Sequence, residues 1–222
     1  MLAGAPEDYA AYVAAVRAAL AHGCGTLIEV GPHPVLTAGI GAVAEAAGHD
    51  TAVFALRPST GARGMDELAA DLGRFVNERF AGRRLAIVGF SMGGIVARYW
   101  VQRLGGLART ERLIALATPH RGTATARLFP LPGIRQLRRG SPFLEDLNGD
   151  REVLLACGVA SIWSPIDLMV VPPGSGRLGI GFERRLLIPI HAWIPRSRRV
   201  IREVLRLLDG PRATASSSGQ IG

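Results

Sequence analysis

The chain has 222 residues and carries 26 basic residues against 18 acidic ones, and every basic residue is arginine. Its hydrophobic fraction of 48% can fill one substantial core, so a single domain is expected. No nucleic-acid-binding motif accompanies the net charge of +8, so nucleic acid is not an expected partner. A weak preference for acidic partners or anionic lipid surfaces stays open.

Three further features limit the class of protein, namely the cysteines, the apolar runs and the first residues. Cys24 and Cys157 have neither the spacing of metal ligands nor that of a disulfide framework, so both are predicted to be small buried residues and no metal is expected. No apolar run approaches the length of a membrane span. Glu7 and Asp8 stand where a signal peptide would carry positive charge, so we expect a cytoplasmic location.

Apolar periodicity and turn residues predict helices and strands in alternation. The predicted helices cover residues 8–21, 34–48, 65–80, 92–105 and 197–208. The predicted strands cover residues 26–31, 51–56, 84–90, 111–119 and 153–161, with a sixth candidate at 184–190. A long irregular region separates the fourth strand from the fifth, and the Ser/Gly-rich tail over 213–222 is predicted to be disordered. This order favours an α/β fold with a mostly parallel sheet flanked by helices on both faces.

The stretch "LAIVGFSMGGIVARYW" joins the predicted third strand to the following helix through a turn centred on Ser91. Gly89 and Gly93 stand two positions on either side of the serine, where a sharp turn leaves no room for side chains. Such a turn lifts the serine hydroxyl above the edge of the sheet. We therefore interpret Ser91 as a nucleophile and the two glycines as parts of its elbow.

A serine hydroxyl is a poor nucleophile at neutral pH, so a histidine must accept its proton and a carboxylate must orient that histidine. Where a serine stands on such a turn, the acid follows it in the chain and the histidine comes last. Only His120 and His191 follow Ser91, and only His191 leaves room for an intervening strand and an acid. His191 is the predicted base.

Asp167 is the predicted acid because it lies just past a predicted strand and ahead of the histidine. Asp146 and Asp150 compete for this role, but both lie in a stretch that resembles a surface turn.

The negative charge that develops on the substrate needs two backbone N–H donors. Met92 supplies the first by its position directly after the serine. The second is expected from the loop after the first strand, which has the sequence "EVGPHPVL". Pro32 and Pro34 have no N–H group, so either Gly31 or His33 would have to donate.

Five ordered segments together resemble the bacterial triacylglycerol lipase and esterase branch of the α/β-hydrolases. The segments are "VGFSMGGIVARYW", "LATPHRGT", "IRQLRRGSPFLEDLN", "WSPIDLMVVPP" and "HAWIP", within residues 83–208. The resemblance implies ester hydrolysis through an acyl-enzyme, with Ser91, Asp167 and His191 at the triad positions. It also implies a structural role for His120. Phe90 departs from the more usual histidine beside the nucleophile, a change that we expect activity to survive.

The front of the chain carries a second resemblance. Residues 11–40, and more loosely the chain up to about residue 80, are similar to the C-terminal end of a polyketide synthase acyltransferase domain, in which "EVGPHPVL" is a frequent string. The serine and histidine of that family would lie upstream and are absent. We therefore predict that residues 1–80 complete the sheet of an α/β-hydrolase core formed by residues 81–212.

The leading hypothesis is a serine esterase or lipase that acts on a small-molecule acyl ester and needs no cofactor. Two alternatives stay open, namely a thioesterase or acyl-transfer accessory protein of polyketide synthesis and an inactive hydrolase remnant or fusion fragment. The last predicted helix is amphipathic, with arginines on its polar face. That face is either simply solvated or contacts an anionic lipid surface or an acidic carrier protein.

Overall fold

A single sheet of parallel strands forms the centre of the molecule. The computed structural model describes residues 26–31 and 50–209. Within that part six strands pair in the order β2-β1-β3-β4-β5-β6, and every neighbouring pair is parallel. The strands are β1 (Thr26–Gly31), β2 (Asp50–Ala55), β3 (Leu85–Phe90), β4 (Thr110–Leu116), β5 (Val159–Trp163) and β6 (Phe182–Arg185).

Helices connect the strands and cover the sheet. The α-helices are α1 (Met65–Arg79), α2 (Met92–Arg103), α3 (Pro132–Gln136), α4 (Pro142–Gly149) and α5 (Arg198–Asp209). Short 3-10 helices cover Gly106–Arg109, Ala124–Arg127, Arg151–Cys157, Pro173–Gly176 and His191–Arg196. Among the described residues no helix combines the length and apolar character needed to cross a bilayer.

Both faces of the sheet are buried, which explains the nearly continuous apolar runs of β1 and β3. On one face, side chains such as Leu68 of α1 and Ile95 of α2 pack on the sheet. On the other face, Val200 and Val204 of α5 pack against Ile114 and its neighbours. The predicted α/β architecture, a parallel sheet with helices on both faces, is therefore confirmed.

The strand order reverses direction between β1 and β3. From β1 the chain moves outward to β2, whereas from β3 it moves the opposite way through β4, β5 and β6. In open parallel sheets, ligands bind outside the carboxyl ends of the strands where the order reverses. Ser91 follows the last residue of β3 and therefore lies at this point.

Three predictions about the second half of the chain need correction. The fifth strand lies at Val159–Trp163, and the apolar run "VLLAC" before it is helical. The region after His120 is not irregular throughout, because it contains α3, α4 and a 3-10 helix. The sixth strand begins earlier than predicted and ends at Arg185, so the run "LLIPI" after it is not a strand.

Several predictions lie outside the described residues. These are the helices over 8–21 and 34–48, the tail over 213–222, and the environments of Cys24 and His33. Cys157 is described, and its side chain is fully buried as predicted.

Candidate active site

Ser91 occupies the junction between β3 and α2 in a backbone conformation that non-glycine residues rarely adopt. Its φ is 53° and its ψ is −120°. The Ser91 N–H donates to the carbonyl of Leu116 at the end of β4 over 2.8 Å, which anchors the turn to the neighbouring strand. Backbone strain of this kind persists only where surrounding contacts hold it, and it is concentrated at functional sites.

The glycines around Ser91 allow the backbones to approach closely. A Cβ atom on Gly89 would lie 2.6 Å from the Cα atom of Gly94. A Cβ atom on Gly93 would overlap the carbonyl oxygen of Val30 in β1. A side chain at either position would therefore force neighbouring backbone segments apart. This is the physical reason for the predicted spacing of the two glycines about the serine.

Ser91, His191 and Asp167 form an unbroken line of hydrogen bonds. The distance from Ser91 Oγ to His191 Nε2 is 2.9 Å, and the distance from His191 Nδ1 to Asp167 Oδ2 is 2.8 Å. Because a carboxylate only accepts hydrogen bonds, the imidazole proton is assigned to Nδ1, and Nε2 accepts the serine proton. The structure thus brings together the three residues that the sequence pointed to.

The carboxylate of Asp167 is held from both sides. Its side chain is 2% exposed, and Oδ1 accepts hydrogen bonds from the backbone N–H of Met169 at 2.8 Å and of Val170 at 3.3 Å. Oδ2 is therefore left to receive His191. A buried carboxylate with both oxygens engaged keeps a single orientation, which in turn fixes the imidazole plane.

The ring of Phe90 packs against the imidazole of His191. The two ring centroids are 4.9 Å apart with an interplanar angle of 34°. Phe90 is 6% exposed, so its position is set by the core under the sheet edge. This contact supports a face of the imidazole ring, whereas the two nitrogens of the ring make the hydrogen bonds to Asp167 and Ser91.

Asp146 and Asp150 are engaged elsewhere. Both carboxylates pair with Arg103 at the end of α2, at 2.8 Å and 2.7 Å. The hydrogen bond from Arg103 lowers the pKa of Asp150 below its usual value. Neither residue contacts His191, so the geometry favours Asp167 over both competitors.

The donors for a substrate oxyanion are only partly described. Met92 is the first residue of α2, so its N–H lies at the helix N-terminus, where it has no intrahelical acceptor. The carbonyl of Gly31 accepts from Leu56 beyond β2. Because the N–H and C=O of one strand residue point to the same side, the Gly31 N–H also faces β2 and not Ser91. His33, the other predicted second donor, lies outside the described residues.

Comparisons with known proteins concern the family and the fold. The family described as "Putative serine esterase (DUF676)" matches residues 59–149, which include β3, Ser91 and α2. No curated protein sequence matches the chain. The mature form of the Bacillus licheniformis lipase BlEst2 is 18% identical and superposes with a TM-score of 0.66, covering 84% of this chain and 92% of the lipase.

Two further solved structures match over similar spans. The propeptide form of the same lipase is 16% identical, with a TM-score of 0.69, and the match covers 88% of this chain and 52% of that one. A carboxylesterase from Nitrososphaera gargenis is 15% identical, with a TM-score of 0.55, and the match covers 83% of this chain and 90% of that one. The chain has the α/β-hydrolase fold. The family match and the fold together support a serine hydrolase.

The front segment contributes β1 and β2 to the same sheet as β3. The similarity of residues 11–40 to an acyltransferase stays a prediction, as does the division of the chain at residue 80.

A buried polar cluster that the sequence did not predict lies beside α2, the helix that follows Ser91. Arg98 of α2 is fully buried, and burial lowers its pKa to about 9. Its guanidinium donates to the Leu147 carbonyl at 2.7 Å and to Asn148 Oδ1 at 3.2 Å, and it lies 3.3 Å from His120 Nδ1. Arg98 therefore ties the helix after the nucleophile to α4 and to the turn after β4.

His120 completes this cluster and does not contact Ser91. Its ring is buried, and desolvation together with the charge of Arg98 lowers its pKa well below the usual value. Because a guanidinium only donates, Nδ1 accepts, and the proton on Nε2 is donated to Ser161 Oγ over 3.2 Å. This geometry fits the structural role that the family resemblance implied. The burial of Arg98 could have been recognised from its position in the sequence. It stands three residues after Ile95, on the apolar side of α2.

Proposed function

We propose that the chain hydrolyses carboxylic esters through an acyl-enzyme, with Ser91 as nucleophile, His191 as proton carrier and Asp167 as the group that orients it. One observation carries this proposal, namely the line of hydrogen bonds from Ser91 Oγ through His191 to Asp167 on a strained turn at the edge of the sheet. The serine esterase family match over residues 59–149 supports the same chemistry.

In the first half-reaction, Ser91 Oγ attacks the carbonyl carbon of the ester while its proton passes to His191 Nε2. Asp167 stabilises the imidazolium that forms, because its carboxylate already accepts from Nδ1. The carbonyl oxygen becomes an oxyanion, and the Met92 N–H at the positive end of α2 supplies one donor. The bond to the alcohol oxygen then breaks, and His191 returns the proton to that oxygen. The alcohol leaves and the acyl group stays on Ser91.

In the second half-reaction, a water molecule attacks the acyl carbon and His191 accepts its proton. The bond to Ser91 Oγ breaks, and His191 returns the proton to the serine. The carboxylic acid leaves, and the site is restored. No step calls for a metal or cofactor, and the described residues contain no cluster of three or more His, Cys, Asp or Glu side chains able to hold a metal ion.

Covalent labelling tests this proposal directly. The purified chain is treated with a fluorophosphonate, which phosphonylates activated serines, and turnover is measured with nitrophenyl esters of rising acyl length. We expect labelling and turnover in the unmodified chain, and neither in Ser91→Ala. Ser59→Ala is the matched control, because Ser59 lies in the loop after β2 and makes no contact with His191.

Two results would overturn the proposal. One is a folded sample that neither labels nor turns over any ester, which would indicate an inactive hydrolase remnant. The other is labelling that persists in Ser91→Ala, which would place the nucleophile elsewhere.

A further inference from the structure

The most exposed apolar side chains of the described residues share one region. Six large apolar side chains are more than half exposed, and we call them the apolar rim. They are Leu128, Phe129, Leu168, Met169, Leu187 and Trp193, with exposures between 53% and 74%. A cluster of exposed apolar side chains is unusual on a surface that faces only water, and it marks a site of contact with a partner or a membrane.

Backbone contacts join the three loops that carry the apolar rim. The Ala124 N–H donates to the Val171 carbonyl at 2.8 Å, which links the loop of Leu128 and Phe129 to the loop of Met169. The Leu168 N–H donates to the Pro189 carbonyl at 3.4 Å, which links that second loop to the segment between Leu187 and Trp193. The three segments that carry the rim are therefore in contact with one another, although they are distant in sequence.

The apolar rim borders the candidate active site. Leu168 follows Asp167 directly, and Trp193 lies two residues after His191 in the same 3-10 helix. Both loops project from the carboxyl ends of the strands, which is also where Ser91 lies. A surface that receives the rim would consequently lie at the same edge of the sheet as Ser91.

The same segments carry a strong excess of positive charge. Residues 123–139 contain four arginines and no acidic residue, and residues 164–199 contain six arginines and two acidic residues. Both acids are engaged, because Asp167 receives His191 and Glu183 receives Arg177 at 2.9 Å.

Three exposed arginines stand within three residues of rim side chains and have no acidic partner in the described part of the chain. They are Arg127, Arg185 and Arg196. Their guanidinium groups are thus free to bind phosphate, which they match in geometry and charge.

We propose that the apolar rim and its flanking arginines dock onto the surface of an anionic lipid bilayer. Apolar side chains enter the boundary between headgroups and acyl chains, and arginines bind the lipid phosphates. An acidic soluble protein would match the arginines but leave the protruding apolar side chains without a counterpart. A neutral lipid surface would match the apolar side chains but not the charge. This docking proposal rests on the proposed function, and it names the substrate class as acyl esters held in an anionic bilayer.

Vesicle binding is the first test. The unmodified chain is sedimented with vesicles of phosphatidylglycerol and phosphatidylcholine, and in parallel with pure phosphatidylcholine. We expect at least about tenfold stronger binding to the anionic vesicles, because several arginines each gain from the surface potential. A blue shift of tryptophan emission on binding, absent in Trp193→Phe, would place the rim at the bilayer. Equal binding to both vesicles, or no binding, would overturn the proposal.

Paired variants separate the two parts of the surface. Leu128→Ser with Phe129→Ser removes apolar contact, and Arg127→Gln with Arg196→Gln removes charge. Each pair is expected to weaken anionic binding by about fivefold or more. The matched controls, Leu104→Ser with Val153→Ser and Arg74→Gln with Arg79→Gln, lie outside the rim and should bind like the unmodified chain.

Turnover of a short water-soluble ester distinguishes the possible failures. Unchanged turnover in the paired variants establishes that they fold, so their loss of vesicle binding can be assigned to the rim. Turnover without vesicle binding would overturn the docking proposal alone. Vesicle binding without labelling of Ser91 would overturn the proposed hydrolysis. Binding to an acidic carrier domain with no binding to vesicles would also overturn docking to a bilayer.

Discussion

The Oγ atom of Ser91 lies 2.9 Å from Nε2 of His191, although the two residues are 100 positions apart in the chain. Ser91 stands on the turn after β3, and His191 begins a 3-10 helix between β6 and α5. The two meet because parallel strands bring their carboxyl ends to one edge of the sheet. In the proposed reaction, the serine proton passes to His191 along this contact.

Asp167→Asn should lower kcat while leaving KM nearly unchanged. The amide can donate to His191 Nδ1, which would favour the tautomer that carries its proton on Nε2 and so cannot accept from Ser91. By analogy with other serine hydrolases, kcat should fall by about 10³- to 10⁴-fold. Steady-state kinetics with a nitrophenyl ester measure this, with Asp146→Asn as the control. If Asp146→Asn proved the more damaging change, the acid would be wrongly assigned.

Phe90 should tolerate replacement by another ring but not by a small side chain. Phe90→Ala removes the ring that supports His191, and an aromatic contact of about 0.5–1.5 kcal/mol corresponds to a fall in kcat of about twofold to thirteenfold. Phe90→His keeps a ring in place and should stay within about threefold of the unmodified chain. Steady-state kinetics on both variants test this, and equal activity of the two would refute a supporting role for the ring.

Gly93→Ala should destabilise the fold, because its Cβ would overlap the Val30 carbonyl in β1. Overpacking of this kind costs about 1–3 kcal/mol of the free energy of unfolding. Gly149→Ala is the control, since a Cβ there meets nothing within 4 Å, and it should change stability by less than about 1 kcal/mol. Urea unfolding at neutral pH measures both, and similar values for the two variants would contradict the close approach of α2 to β1.

His120 should make stability depend on pH. Its pKa in the folded chain lies well below the ordinary histidine value of 6.5, so below pH 6.5 the unfolded chain takes up a proton that the folded chain does not. The stabilisation is present above that pH and is lost as the pH falls. His120→Gln lacks this dependence, so the stability difference between the two proteins should shrink by up to about 1.4 kcal/mol per pH unit. A stability difference between the two proteins that stays constant from pH 7.5 to 5.5 would disprove this.

Local patterns were sufficient for much of the fold. The strand before Ser91, the turn and α2 were predicted within two residues, because the apolar run, the glycine spacing and the helical stripe all agree there. The run "VLLAC" was wrongly predicted as strand because a short apolar run does not distinguish a buried strand from a buried helix by its periodicity. The last helix was predicted correctly because its apolar stripe is long and regular.

The sequence by itself determined the residue types of the candidate site, because motif spacing and chain order left few histidines and acids to choose from. Only the tertiary structure decided which atoms meet, that the Gly31 carbonyl accepts from Leu56 beyond β2, and that Arg98 is buried beside His120. It also brought the three separate loops of the apolar rim into contact at the edge of the sheet where Ser91 lies. The reason is physical: strand order, register and side-chain burial arise from contacts between distant segments, which no local pattern contains.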